Sequence, residues 1–343
     1  MHDAPSIFVL GSFVVACSAK VARLPRSGES LCAEAFTIEA GGKGFNVAVG
    51  AHRLGVKVDA LFVIGDDDFA PFAERALTRA GLPSSFLRRK GATTGSGVGF
   101  TDASGETCLA VYPGANRLLT AADVRSASAA VRRASLVVAQ FEIADEPIRE
   151  AFRLARASGA RTLLNPSPCR EIDQNLLGLT SILVMNAVEA AWLERTLGLR
   201  ETGLPLDGSM GRIGRLAAVL LDRGPDLVVV TLGRDGALAF PRGTEPLRQP
   251  AFPVRAVDSL GAGDAFTAGL AASLIAGVSL TDGLERAAAC GAIATQRLGV
   301  LDALPTREQL GAFLEEARVG EDTRERDEHF GMILVLTNTG QSR

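Results

Sequence analysis

The sequence predicts an α/β fold, with a mostly parallel central sheet covered on both faces and a small β-rich flap beside it. Three observations carry this expectation. Short apolar, β-branched runs recur between longer alanine-rich helical patterns, the mark of βαβ units. Those runs lack polar alternation, as strands covered on both faces should. Two stretches break the rhythm and read instead as short strands separated by turn residues.

Taken in order, Ile7–Leu10 is the first buried strand, and Val14–Ala40 is the first irregular, β-rich stretch. A helix is predicted over Phe45–Leu54, then a strand over Ala60–Ile64 and a helix over Phe69–Ala80. Gly97–Tyr112 alternates about Ala103-Ser104-Gly105 as a hairpin does, completing the flap, which is expected to lie over one edge of the main sheet. The strands Leu136–Ala139, Thr162–Leu164, Ile182–Met185 and Leu227–Thr231 follow, interleaved with helices over Glu146–Ala157, Ala187–Leu197 and Gly211–Arg223. Two helices, Asp264–Ala276 and Thr281–Leu298, close the pattern. Gly55, Gly81, Gly159 and Gly277 end several of these helices, as left-handed caps do.

The chain has 343 residues, enough for about two average domains or for one large α/β domain with an appendage. Hydrophobic residues are 47% and charged residues 22%, which excludes disorder and rod-like repeats. Lys plus Arg number 36 against 39 Asp plus Glu, a net charge of −3 that argues against nucleic acid as a partner. The uncharged stretch Ala4–Ala19 is shorter than the roughly 20 residues a bilayer requires, and Met1-His2-Asp3 lacks a signal peptide's positive charge. A cytoplasmic protein without membrane association is expected. Five scattered cysteines without C-x-x-C spacing fit free thiols, and three histidines supply histidine-based metal or nucleophilic chemistry poorly. Carboxylates, lysine and backbone amides are left to carry the chemistry.

The strongest motif is Asp258-Ser259-Leu260-Gly261-Ala262-Gly263-Asp264, which runs straight into a small-residue helix. Glycines before a helix let backbone N–H groups converge at the positive end of its dipole, where phosphate is stabilised. Asp264 at the helix start reads equally as a plain N-cap or as a base that takes a proton from an attacking hydroxyl. Gly41-Gly42-Lys43-Gly44-Phe45-Asn46 is a second glycine-rich turn leading into a helix. It allows close approach to a ligand and offers Lys43 and Asn46, or it is an ordinary glycine turn with an exposed lysine. Neither a Walker motif nor a dinucleotide fingerprint after the first strand is present. Asn186 and Glu189, three residues apart at a helix start, suit hydrated Mg²⁺ and equally match a capping box. Thr231-Leu232-Gly233-Arg234-Asp235-Gly236 leaves a buried strand in a turn usable by a nucleotide, or in a simple β-turn.

In this order, Gly11-Ser12, Gly41-Gly42-Lys43-Gly44 with Asn46, Gly65-Asp66-Asp67, Asn165-Pro166, Asn186 with Glu189, Thr231-Leu232-Gly233 with Gly236, and Asp258 through Asp264 resemble the PfkB (ribokinase-like) carbohydrate kinases. The resemblance covers about residues 6 to 315. It implies a three-layer αβα domain over residues 1–317 with a β-sheet lid from 14–40 and 97–112, ATP as donor, and a sugar or sugar-like alcohol as acceptor. By the same resemblance, Asp264 is the base, and Gly261, Ala262 and Gly263 form the backbone anion hole. Asn186 and Glu189 organise Mg²⁺ and its waters, and Thr231, Gly233 and Gly236 lie along the nucleotide. Gly42, Lys43, Asn46 and Glu142 line the acceptor pocket, while Asp258 and the stretch around Arg297–Gly299 match a monovalent-cation site, expected to take K⁺.

One departure bears on substrate. Where ribose-phosphorylating members carry an Asn and, two residues later, an Asp, this chain has Val14 and Ala16. Losing that carboxylate costs about 1.5–3 kcal/mol per charged hydrogen bond if the acceptor keeps its hydroxyls. A deoxy sugar, a sugar phosphate or a nucleoside is therefore expected ahead of ribose. The lid is expected to close over the acceptor and exclude water, and its open strand edges are expected to pair two subunits. Two other readings of the scaffold are a catalytically silent sugar or nucleotide sensor, which needs no base, and a nicotinamide dehydrogenase, which lacks its fingerprint here. The segment 318–343, with a charged run Glu321–Glu328 and an apolar Met332–Leu336, reads as a tail, an added strand or an oligomer contact.

Overall fold

Every residue of the first strand, β1 (Ser6–Leu10), is buried, and its side chains alternate between two apolar clusters. Ile7 and Val9 face one side and Phe8 and Leu10 the other. A strand with apolar residues at both parities must be covered twice, and the layers follow from this. A computed structural model describes residues 4–103, 107–199 and 210–319. After β1 come β2 (Val14–Lys20), β3 (Ala35–Gly41), α1 (Lys43–Arg53), β4 (Lys57–Ile64), α2 (Ala70–Arg79), β5 (Leu87–Arg89), β6 (Ser96–Thr101) and β7 (Thr107–Tyr112). The middle of the chain supplies α3 (Ala121–Ser126), α4 (Ser128–Arg133), β8 (Leu136–Gln140), α5 (Asp145–Ala157), β9 (Arg161–Asn165), α6 (Gln174–Leu179), β10 (Ile182–Asn186) and α7 (Ala187–Thr196). The last third gives α8 (Met210–Asp222), β11 (Leu227–Thr231), β12 (Ala237–Pro241), β13 (Leu247–Gln249), α9 (Ala262–Ile275) and α10 (Leu280–Thr295). A closing helix covers residues 307–319.

The main sheet has the order β13-β12-β11-β10-β9-β8-β1-β4-β5. From β11 to β5 its strands are parallel, and β12 and β13 are added antiparallel at one edge. One face is covered by α1, α2, α9 and α10, the other by α3 through α8. All six buried strands expected from the sequence are present. β12 and β13 escape the βαβ rhythm because they return through tight turns rather than helices. The helix expected to reach Leu298 ends at Thr295, and the chain then turns.

Helix α9 is apolar or small on all sides and packs between α1 and α10. A methyl group on Gly50 would lie 2.8 Å from the Ala268 Cβ, and one on Gly269 would lie 2.8 Å from the Cys290 Sγ. Glycine here serves close helix approach.

The second sheet, ordered β3-β2-β6-β7, is the expected lid. Its hairpin β6–β7 is formed, while Ser104 and Gly105 of the expected turn lie outside the described residues, as does the C-terminal segment beyond Val319. The lid is rooted at the C-terminal end of β1, inside the main sheet, rather than along an edge of it. The reason is a pair of ties, one of them buried, that sequence does not display. Asn116 donates to Phe13 O (2.8 Å) and Pro113 O (2.9 Å) and accepts from Phe13 N (3.0 Å). Asp67 accepts from Thr94 N and Thr94 Oγ1, both at 2.7 Å. The two segments that lead into the lid are thereby fixed to the top of the sheet.

Candidate active site

The chain turns into α9 through Gly261, whose φ of +76° is left-handed. A methyl group there would also lie 2.5 Å from Val300 Cγ1, so glycine is required twice over. No side chain caps the helix. Asp264 is the third helical residue rather than the cap, so the plain N-cap reading does not hold. Asp264 Oδ2 instead accepts from Asn46 Nδ2 at 2.8 Å, and Lys43 Nζ lies 4.0 Å from Oδ1. Burial holds the Asp264 carboxyl above the ordinary carboxylate range. Lys43 and the Asn46 bond oppose that rise, and Glu142 and Glu189 add to it. Burial also works against the charge on Lys43, but the carboxylates of Asp264, Glu142 and Glu189 outweigh it, and the ammonium is raised and charged at neutral pH.

Two of the glycine-turn residues differ in what their N–H groups do. Ala262 N–H is donated to Ser259 O at 3.3 Å. Gly263 is exposed, with open space where a side chain would stand. Its amide, in the uncapped first turn, is the better placed for an anion.

The double-glycine turn meets this helix from the opposite side. Gly42 has φ +101° and brings its Cα against the Ser12 carbonyl, where a methyl group would lie 2.8 Å away. That approach lets Lys43 N–H reach Glu142 Oε2 at 2.8 Å, and Ser12 Oγ donates to the same oxygen. Asn46, 5% exposed, keeps its Oδ1 without a hydrogen-bond partner among the described residues, beside Asp264. An orphaned buried acceptor next to a buried carboxylate fits an incoming hydroxyl donor.

At the end of β10, Asn186 and Glu189 do form a capping box. Glu189 N–H donates to Asn186 Oδ1 (2.9 Å) and Asn186 N–H to Glu189 Oε2 (2.7 Å). Glu189 is nonetheless 5% exposed and makes no ion pair among the described residues. A buried carboxylate answered by a single N–H group, within the field of Lys43 and Asp264, has the donor chemistry of a hydrated divalent cation. The capping and metal readings are thus compatible. Thr231 is paired in register with Asn186, placing both at the C-terminal ends of adjacent strands. Gly233 is exposed in the following turn, while Gly236 is buried against Gln249 O and shapes that turn. Asp258 sits behind α9, with Oδ1 accepting from Leu260 N–H (2.9 Å) and Oδ2 from Gly299 N–H (3.1 Å). It too is buried without an ion pair among the described residues, which fits a monovalent cation.

Asp264, Lys43, Asn46 and Glu142 therefore converge, with Glu189 within electrostatic range, while Thr231, Gly233 and Asp258 flank the cluster. Three residues given no role by sequence belong to the site's frame. Ser12 and Asn116 fix Glu142 and the lid root, and Gln140 is 1% exposed with neither amide atom partnered among the described residues. The Gly-Ser pair after β1 was the one available signal for Ser12.

A model of the pfkB family carbohydrate kinases matches residues 4–307. The chain belongs to that family. Deoxyribokinase of Salmonella typhi is 33% identical over 311 residues, covering 90% of this chain and 98% of the relative. Ribokinase of Mus musculus is 31% identical over 314 residues, covering 90% and 94%. Among solved structures, Arabidopsis thaliana ribokinase complexed with ribose and ATP is similar with a TM-score of 0.79 and 27% identity, covering 91% and 99%. This pfkB-family kinase has the three-layer fold and lid that the motifs implied, and it is an ATP-dependent carbohydrate kinase.

Proposed function

We propose that this kinase transfers the γ-phosphoryl group of ATP to a hydroxyl of a deoxy sugar, with Asp264 as general base and the first amides of α9 as anion hole. One observation carries the reading most: a buried, basicity-raised carboxylate beside a helix mouth that no side chain caps. Asp264 takes the proton of the acceptor hydroxyl as the oxygen attacks phosphorus, and the Gly263 amide stabilises the charge on the transferring group. Lys43 favours the ionised form of Asp264 and offers a positive charge beside it. Asn46 Oδ1 and Glu142 orient the acceptor, with Gly42 permitting its approach. Asn186 and Glu189 would hold Mg²⁺, which neutralises phosphate charge when bound, and Asp258 with the Gly299 loop would hold K⁺. Thr231, Gly233 and Gly236 lie where the nucleotide extends along the C-terminal ends of the strands. Free thiols and use of ATP support a cytoplasmic site of action, and among the described residues no helix is long and apolar enough to cross a membrane.

The acceptor class rests on Val14 and Ala16. Val14 is buried, and Ala16 lines the cleft under the lid with Ser18 and Thr37. Neither accepts a hydroxyl hydrogen bond through its side chain, so each acceptor hydroxyl brought there loses a bond to water. ADP release measured across ribose, 2-deoxyribose, sugar phosphates and nucleosides is expected to give the highest kcat/KM with 2-deoxyribose. In the same assay Ala16→Asp is expected to shift the preference toward ribose by about tenfold. A nucleoside as best acceptor would replace the deoxy-sugar reading, and acceptor-independent turnover would overturn the kinase reading.

The outer face of the lid supports pairing with a second copy. Ile38, Cys17 and Val98 align across β3, β2 and β6, as do Phe36, Ala19 and Phe100. Phe36 is 61% exposed, Ile38 53% and Val98 52%. A contiguous apolar sheet face of this kind is covered in a stable protein. Light scattering is expected to show a dimer, and Ile38→Glu to yield monomer. A monomeric wild type at micromolar concentration would refute this.

A further inference from the structure

Among the described strand residues, the inner face of the lid carries one carboxylate, and it is bound to the far wall of the cleft rather than left to solvent. Glu39 of β3 stands directly across from Ala16 of β2. Its Oε2 accepts from Val300 N–H at 3.1 Å. The preceding amide, Gly299 N–H, goes to Asp258 Oδ2, also at 3.1 Å. Two carboxylates, one from the lid and one from the segment leading into α9, thus grip successive peptide groups. The fit is close enough that a methyl group on Gly299 would lie 2.4 Å from Glu39 Oε1.

The gripped segment leads to the anion hole. The Val300 side chain packs on Gly261 so closely that a methyl group on that glycine would meet it at 2.5 Å. Gly261 is the left-handed residue that turns the chain into α9 and aims its first amides. Asp258 closes the circuit, since its other oxygen accepts Leu260 N–H, immediately before Gly261. A contact path therefore runs from the lid strand through Glu39, Val300 and Gly261 to the helix mouth.

We propose that Glu39 is a positioning residue for phosphoryl transfer, clamping the 299–300 peptide from the lid and thereby holding the Gly261 turn in line with Asp264. The proposal rests on the reading of the α9 mouth as the anion hole. An amide peptide held by a charged acceptor is fixed more firmly than one held by water, and small displacements of an anion hole are costly in rate.

The test uses the full chain with Glu39→Ala and Glu39→Gln, the best acceptor from the ADP-release panel, and hydrogen exchange of the peptides covering 258–264 and 297–302. Loss of one charge-assisted bond is expected to lower kcat of Glu39→Ala about tenfold with acceptor KM within about twofold of wild type. Glu39→Gln is expected to recover most of the rate, because its amide oxygen still accepts Val300 N–H. Exchange in both peptides is expected to be faster in Glu39→Ala without substrate. Unchanged kcat and exchange would overturn the proposal, and so would a raised acceptor KM with kcat intact, which marks a direct acceptor contact. If the wild type phosphorylates no acceptor, the kinase reading fails, and the exchange result alone decides the clamp.

Discussion

Asp264→Asn is expected to lower kcat by a factor of about 100 to 10,000, the range of a lost general base, while the protein melts no lower than wild type at pH 7. The two effects have one cause. Burial raises the Asp264 carboxyl above its value in the unfolded chain, so the folded state binds that proton more tightly than the unfolded state does. Where the group is ionised in both states, its buried charge costs stability. As pH falls through the raised folded value, the cost disappears. The neutral amide removes it at every pH, so any gain in melting temperature is largest near neutrality and fades on acidification. Asn46 keeps an oxygen to donate to, and Lys43 keeps the fields of Glu142 and Glu189. Thermal melts beside steady-state rates check both halves, and a variant that turned over normally would remove Asp264 from the chemistry.

Gly263→Ala is expected to separate activity from stability as sharply. Gly263 does not occupy a left-handed conformation, and a methyl group there would meet nothing within 4 Å. Alanine in a helical turn is favoured over glycine by about 0.5–1 kcal/mol, so the variant is expected to melt at or above the wild-type temperature. Yet the methyl group fills the space through which a phosphate oxygen must approach the amide. Blocking one preorganised donor is expected to reduce kcat by about 100-fold. Wild-type kcat in a well-folded Gly263→Ala protein would show that the anion is bound elsewhere.

What sequence disclosed and what it hid divide along a physical line. Buried parallel strands such as Val228–Val230 announce themselves, because burial on both faces leaves no room for polar residues. The edge strands β12 and β13 do not, since each is five residues or fewer, and β12 follows a turn that also reads as a nucleotide loop. Helices α3, α4 and α6 are six residues each, too short for a 3.6-residue period to show, and only N-terminal caps mark two of them, the Thr120–Asp123 capping box and Asp173. Within the site, each glycine turn was legible because its chemistry is local. The partnerships were not: Asn46 and Asp264 are 218 positions apart, and Ser12 and Glu142 are 130 apart. Glu39 belongs to none of the sequence motifs, and only the tertiary fold brings it to Val300.

The pH dependence of acceptor kcat/KM tests the role of Asp264 most directly. The rate is carried by the ionised carboxylate, so it is predicted to fall on acidification with unit slope, at a midpoint above the ordinary Asp value of about 3.9. The residual rate of Asp264→Asn is predicted to lack that limb. A wild-type profile that stays flat down to the ordinary Asp value, or an acid limb that survives in Asp264→Asn, would contradict the assignment.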